Sequence, residues 1–330
     1  MQRLDFKWYV PPNEIWLQQA KEFKARLLSG GMVLSQSEWL HAAESGPVES
    51  FLTNGRMSWY NSARNYSPLQ LAISLFRKFA NTALTDEAIL QFANTYGLLG
   101  QTKPIVIHTS KGESLADAEL LDTWKREISV MRAAVRLWDA IKAHDLDALR
   151  VRIIWTGDDV HYDPRADAGV LGDNLPELHP DLDFKPFVHL GVFQKGDVIQ
   201  PALYVLRSIL STKLEKSVAA TTTVDVKDAS IRMSFAPSSL LAALWLQFGM
   251  SIDEKQEFRQ CRQCKEWFAL APGTARADKE FCSSACRSKA YRKRQLEARA
   301  LHQTGLSVPD IAKQLGVEKL VVKKWISDHD

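Results

Sequence analysis

Cys261, Cys264, Cys282 and Cys286 are all the cysteines in a chain of 330 residues. They read C-x2-C, then a polar stretch of 17 residues, then C-x3-C. Two close thiol pairs joined by a short segment suit a tetrahedral metal, because each pair can sit on a tight turn and the segment can bring the pairs together. Disulfides are the rival chemistry. The chain opens MQRLDFKWYVPPNE, without a basic-then-apolar leader. The expectation is therefore a reducing cytoplasmic setting, where thiolates ligate rather than bridge. The spacing predicts one structural Zn(2+) per chain, held by all four cysteines.

Catalytic patterns are missing. The chain has no G-x-S-x-G, no P-loop, no G-x-G-x-x-G and no H-E-x-x-H. Two polar clusters invite a cation site for metal-assisted hydrolysis. One is Asp158, Asp159, His161 and Asp163; the other is His179, Asp181 and Asp183. The first falls on an expected hairpin turn, where aspartate serves local hydrogen bonding, and the second has the same plain reading. With the thiols assigned to metal, no cysteine nucleophile remains. The expectation is a protein that is not an enzyme.

The charge is unevenly placed. The net +3 conceals 27 Lys+Arg against 31 Asp+Glu over residues 1–258, or −4, and 15 against 8 over 259–330, or +7. The basic part begins at the cysteines, which points to a polyanion partner for this segment. After the last cysteine come Arg287, Lys289, Arg292, Lys293, Arg294 and Arg299 against one acid, Glu297. A helix starting at the metal would present these cations to phosphates, which gives affinity without base reading.

Further on, LHQTGLSVPDIAKQLGVEKLVVKKWI predicts two short amphipathic helices. Ser307 caps the first, with Asp310 in capping-box position and Pro309 in its first turn; Ile311, Ala312 and Leu315 face inward, and Gly316 ends it. Val322, Trp325 and Ile326 form the inner face of the second. This is the grammar of a helix-turn-helix. The segment resembles the helix-turn-helix of resolvase-like recombinases and transposases at Gly305, Ser307, Ile311, Ala312, Leu315, Gly316, Val317, Val322 and Trp325. That resemblance implies that Glu318, Lys319, Leu320 and Lys323 face a DNA groove, with Lys324 nearer the backbone. The stretch FCSSACRSKAYRKR likewise resembles the CGNR-type, treble-clef-like zinc finger of bacterial transcription regulators, although Cys286-Arg287-Ser288-Lys289 stands where that family has Cys-Gly-Asn-Arg. Together the resemblances cover about 258–327. They imply a double-stranded DNA-binding bacterial regulator whose body senses or oligomerises.

The body that would position this tail reads as mainly helical. SPLQLAISLFRKFANTA suggests one helix capped by Ser67, with Leu69, Ala72, Leu75, Phe76 and Phe79 on a face. Thr85 caps a second, which Gly97 ends. Leu121, Trp124, Ile128, Met131, Val135 and Trp138 stripe a long third. RVRIIWTGDDVHYDP and TTTVDVKDASIRMSF read as β hairpins, residues 163–183 as a surface loop, and 238–250 as an apolar helix. No apolar run reaches the length that spans a bilayer. Eight of the ten tryptophans lie before residue 259. Large rings fill cores first, but a small-molecule effector pocket and a homodimer interface are both open to residues 1–257.

The fold class expected is mainly α with small antiparallel β hairpins. The expected domains are an α+β body over 1–257, a four-cysteine zinc finger over 258–293 and a helix-turn-helix over 294–330. The expected function is a zinc-containing, DNA-binding transcription regulator. The alternatives are a nucleic-acid enzyme that uses the tail for targeting, and a protein-interaction scaffold.

Overall fold

The computed structural model describes residues 67–163 and 193–327, apart from 72–73, 102, 110–111, 226–228, 254–256, 266 and 271–278, together with five short strands nearer the N-terminus. The chain divides into two compact units, Met1–Glu254 and Lys255–Asp330. The first unit begins with β1 (Trp8–Val10), β2 (Trp16–Gln19), β3 (Arg26–Leu27), β4 (Ser50–Thr53) and β5 (Arg64–Tyr66). Helices α1 (Pro68–Leu71), α2 (Leu75–Ala80) and α3 (Asp86–Tyr96) follow, then β6 (Lys103–Thr109), β7 (Gly112–Leu120) and the long α4 (Leu121–Ala143). The unit continues with α5 (Leu146–Arg150), β8 (Ile153–Thr156), β9 (Asp159–Tyr162), α6 (Ile199–Leu214), β10 (Val218–Asp225), β11 (Ser230–Pro237) and α7 (Leu240–Asp253). The second unit holds β12 (Glu257–Gln260), β13 (Trp267–Leu270), α8 (Ser284–Gln303), α9 (Val308–Leu315) and α10 (Lys319–Ser327).

The α+β character expected of the body is present, and its strands exceed the expected hairpins. An antiparallel five-stranded sheet runs in the order β2-β4-β7-β6-β3. Three of its strands are four residues or fewer, too short to show a period of two. The strand β7, GESLADAEL, is rich in helix formers, and its register against β6 places it in the sheet. The two expected hairpins are present as β8–β9 and β10–β11, paired antiparallel. Gly157, at a φ of 67°, makes the first turn.

The stripe on α4 forms the core as its period requires. Trp124, Ile128 and Met131 are fully buried, and Phe79 and Phe92 meet the Trp124 ring edge-on at 6.1 Å. Helix α7 is buried at every position from Leu240 to Phe248, as befits a helix apolar on all sides. The single helix expected from Ser67 is instead two short ones. Gln247 of α7 explains the break, because its Oε1 accepts from the Phe76 N–H at 3.0 Å and its Nε2 donates to the Pro68 carbonyl at 3.3 Å. These bonds supply partners that a continuous helix would have found within itself.

Glu119 ties the loop after α3 to the rest. Its buried carboxyl accepts from the N–H groups of Leu99, Gly100 and Gln101 at 2.9, 2.6 and 2.8 Å, and from the Trp124 indole at 2.8 Å. Burial nevertheless outweighs these donors and pushes its pKa up to about 7. No helix among the described residues is long and apolar enough to cross a membrane.

Candidate metal centre and nucleic-acid interface

The second unit brings the four cysteines together. Strands β12 and β13 pair antiparallel, and Cys261–Cys264 occupies the turn between them. Lys265 takes a φ of 62°, rare for a residue with a side chain, and its N–H donates to the Cys261 carbonyl at 2.9 Å, closing the knuckle. The second pair arrives at the start of α8. Ser283 caps that helix by accepting from the Cys286 N–H, so Cys286 lies in the first turn and Cys282 just outside it. The Arg262–Glu280 ion pair, at 3.0 Å, and the Arg262 N–H bond to the Glu280 carbonyl fasten one arm to the other. Phe268, Leu270, Phe281 and Ala290 pack beside the thiols.

The geometry fits a tetrahedral ion. Cys264 and Cys282 sulfurs are 3.7 Å apart, Cys282 and Cys286 sulfurs 3.5 Å, and all four lie within 4.8 Å of one another. Four sulfurs bound at about 2.3 Å to one tetrahedral metal would be roughly 3.8 Å apart. The electrostatics favour a cation too. Burial pushes the Cys261 thiol up, but N–H groups of Cys264, Cys282 and Gln263 outweigh it and hold the thiol at about 6. Cys282 is half-buried, and its partial desolvation together with the three other thiols it faces pushes it up to about 12. Four thiolates this close repel one another unless a cation sits between them. These cysteines could hold a metal ion, and among the described residues no other group is so placed.

The remaining expected sites fall elsewhere. Asp158 projects from the β8–β9 turn and pairs with Lys195 at 2.9 Å, while Asp159 is exposed. Neither joins His161 or Asp163 in a group set to hold metal. His179, Asp181, Asp183 and the surface loop from residue 164 onward lie outside the described residues.

Helices α8, α9 and α10 share a core of Ala298, Ile311, Ala312, Val322 and Trp325. Local chemistry sets their ends. The Ser307 hydroxyl accepts from the Asp310 N–H and also bonds the Asp310 carboxylate; Gly316, at a φ of 62°, closes α9. Trp325 is 1 % exposed and anchors α10 twice. Its indole N–H donates to the Tyr291 hydroxyl at 2.7 Å, and its carbonyl accepts from Arg299 Nε at 2.7 Å. Arg299, which stood in the basic run of the sequence, therefore fastens α10 to α8. No pattern within either short segment signals this, because the partner carbonyl lies 26 residues on.

A helix turns about 100° per residue, which sorts the other cations. Lys289, Arg292 and Lys293 fall with Leu296 on one arc of α8, all of them exposed. Arg287 and the half-buried Arg294 fall on the opposite side. On α10, Lys319, Leu320, Lys323 and Lys324 are exposed, as is Glu318 before it, while Val322 and Trp325 point into the core.

The first unit carries a cleft of about 1060 Å³ among α4, α6, α7 and the β10–β11 hairpin. Trp138, Leu206, Leu210, Phe235, Leu246 and Met250 line it, with Arg207, Glu215 and Asp253 also present. Trp138 is thus the end of the α4 stripe that faces a cleft and not the core. No protein-family model, no curated protein and no solved structure matches this chain.

Proposed function

We propose that this chain is a zinc-containing DNA-binding protein, a transcription regulator whose C-terminal unit combines a four-cysteine finger with a helix-turn-helix. The observation that carries the reading is the threefold use of α8. One end places Cys286 among the four sulfurs, the other contributes Ala298 to the three-helix core, and the arc of Lys289, Arg292 and Lys293 lies outward. The ion is zinc, because four closely spaced thiolates in a tetrahedral arrangement are its usual structural ligands. On duplex DNA the α8 arc contacts phosphates, and α10 enters the major groove as the reading helix, with Lys319 in its first turn. The apolar cleft of the first unit is the place for a small-molecule effector.

The test has two stages. Protein purified without added metal is assayed for bound zinc, and one equivalent per chain is expected. It is then titrated with duplex DNA at several salt concentrations. Binding that weakens steeply with salt supports the reading; absence of duplex binding by the zinc-loaded protein overturns it.

A further inference from the structure

Helix α10 turns two kinds of residue in opposite directions. Val322 and Trp325 are 0 and 1 % exposed, whereas Leu320 is 74 % exposed. Ile231 is equally exposed, but it stands across the β10–β11 pair from Val224, so those two side chains neighbour each other. Leu320 has no such apolar neighbour along its helix: the residues one turn on are Lys323 and Lys324, both exposed. A helix face that only meets water is served by charged residues, and a leucine there adds nothing to the fold. The chemistry of the face is narrow in another way. From Lys319 to Ser327 there is no Arg, Asn or Gln, so lysine is the one side chain on the helix that can bind a base edge with two hydrogen bonds, and it does so at guanine. What remains is an apolar tip with Lys319, Lys323 and Lys324 around it, and one acid, the exposed Glu318, just before the helix.

We propose that Leu320 reads thymine through its C5-methyl group in the major groove, with Lys319 and Lys323 beside it to donate to guanine acceptors on neighbouring pairs. This inference rests on the DNA-binding reading above. Charge supports duplex DNA as the occupant, because three cations surround the leucine and DNA alone among common polyanions sets methyl groups on the floor of a wide groove. The protein would then prefer sites with thymine next to guanine, and it would recognise the methyl group, not the thymine hydrogen-bonding edge.

The experiment uses the full-length zinc-loaded protein. Duplexes enriched from a random pool are resynthesised with deoxyuridine in place of thymidine, one position at a time, which removes only the methyl group. At one or two positions affinity should fall about fourfold, the equivalent of about 0.8 kcal/mol for one buried methyl-sized group. The loss should vanish in Leu320→Ala and persist in Leu320→Met, whose side chain is still apolar at the tip. Leu320 is exposed, so neither variant disturbs the three-helix core. Three results overturn the inference while leaving DNA binding in place: enrichment of no sequence, indifference to uracil at every position, or the same uracil loss in Leu320→Ala. Failure to bind any duplex overturns the DNA reading itself, and an acidic protein groove would then be the partner such a face fits.

Discussion

If α8 lies along a phosphate backbone, the cations that matter are those sharing its exposed arc, and the expected effect can be worked from their number. Lys289, Arg292 and Lys293 are the three. Each neutralised phosphate contributes about 0.9 to the slope of log affinity against log salt, so replacing all three by alanine should flatten that slope by roughly 2.7. Over a rise from about 50 to about 200 mM salt, the native protein should lose about 40-fold more affinity than the triple variant. Alanine is the best helix former, so α8 itself should persist, and circular dichroism checks this. The control is Arg287→Ala with Arg294→Ala. These residues are adjacent in sequence to the same run but lie on the other side of the helix, so the slope should stay close to native. Fluorescence anisotropy on a labelled random duplex at five salt concentrations measures both variants. A triple variant with an unchanged slope would refute the argument, and so would a control pair that flattens the slope as much as the triple does. The arc would then be a solvated face, and the helix would not lie on phosphate.

Cys264→Ser should leave less than one equivalent of metal by elemental analysis and abolish the order of the finger, while the first unit keeps its own unfolding transition, since its core is separate. Trp325→Ala removes a buried indole and its bond to Tyr291, and should cost about 3–5 kcal/mol, enough to unfold the three-helix unit in a denaturant titration. Tyr291→Phe, which deletes one hydroxyl acceptor, should cost only about 1 kcal/mol. Glu119 predicts a pH dependence. Its folded pKa of about 7 lies above the ordinary 4.5, so the folded chain holds a proton that the unfolded chain releases between those values. Stability of the first unit should therefore be greatest at mildly acidic pH, fall as pH rises from 4.5 to 7 and level off above. Glu119→Gln should remove that dependence in denaturant midpoints measured across the range.

What the sequence disclosed, and what it hid, follows from the reach of each interaction. The cysteine spacing, the Thr85 and Ser307 caps and the α4 stripe are all set within a few residues, and each can be read locally. The five-stranded sheet could not be, because β2 pairs with β4 and β3 with β6 across long stretches of chain, and β7 has the composition of a helix. The break between α1 and α2 depends on a glutamine 171 residues away. The basic run shows the same limit at the candidate site. In sequence Arg287 to Arg299 is one cluster; on a helix it separates into an outward arc, an opposite face and a residue spent on holding Trp325. The separation also explains why α8 must be continuous. A helix of 20 residues is about 30 Å long. A break between Cys286 and Lys289 would free the cation arc from the sulfur cluster, and a break between Lys293 and Ala298 would free it from the core shared with α10. If the arc meets phosphate and α10 meets bases, as proposed, a straight α8 would hold both sets of residues in one register, and a duplex gripped by the arc would be presented to Lys319, Leu320 and Lys323 in a single orientation.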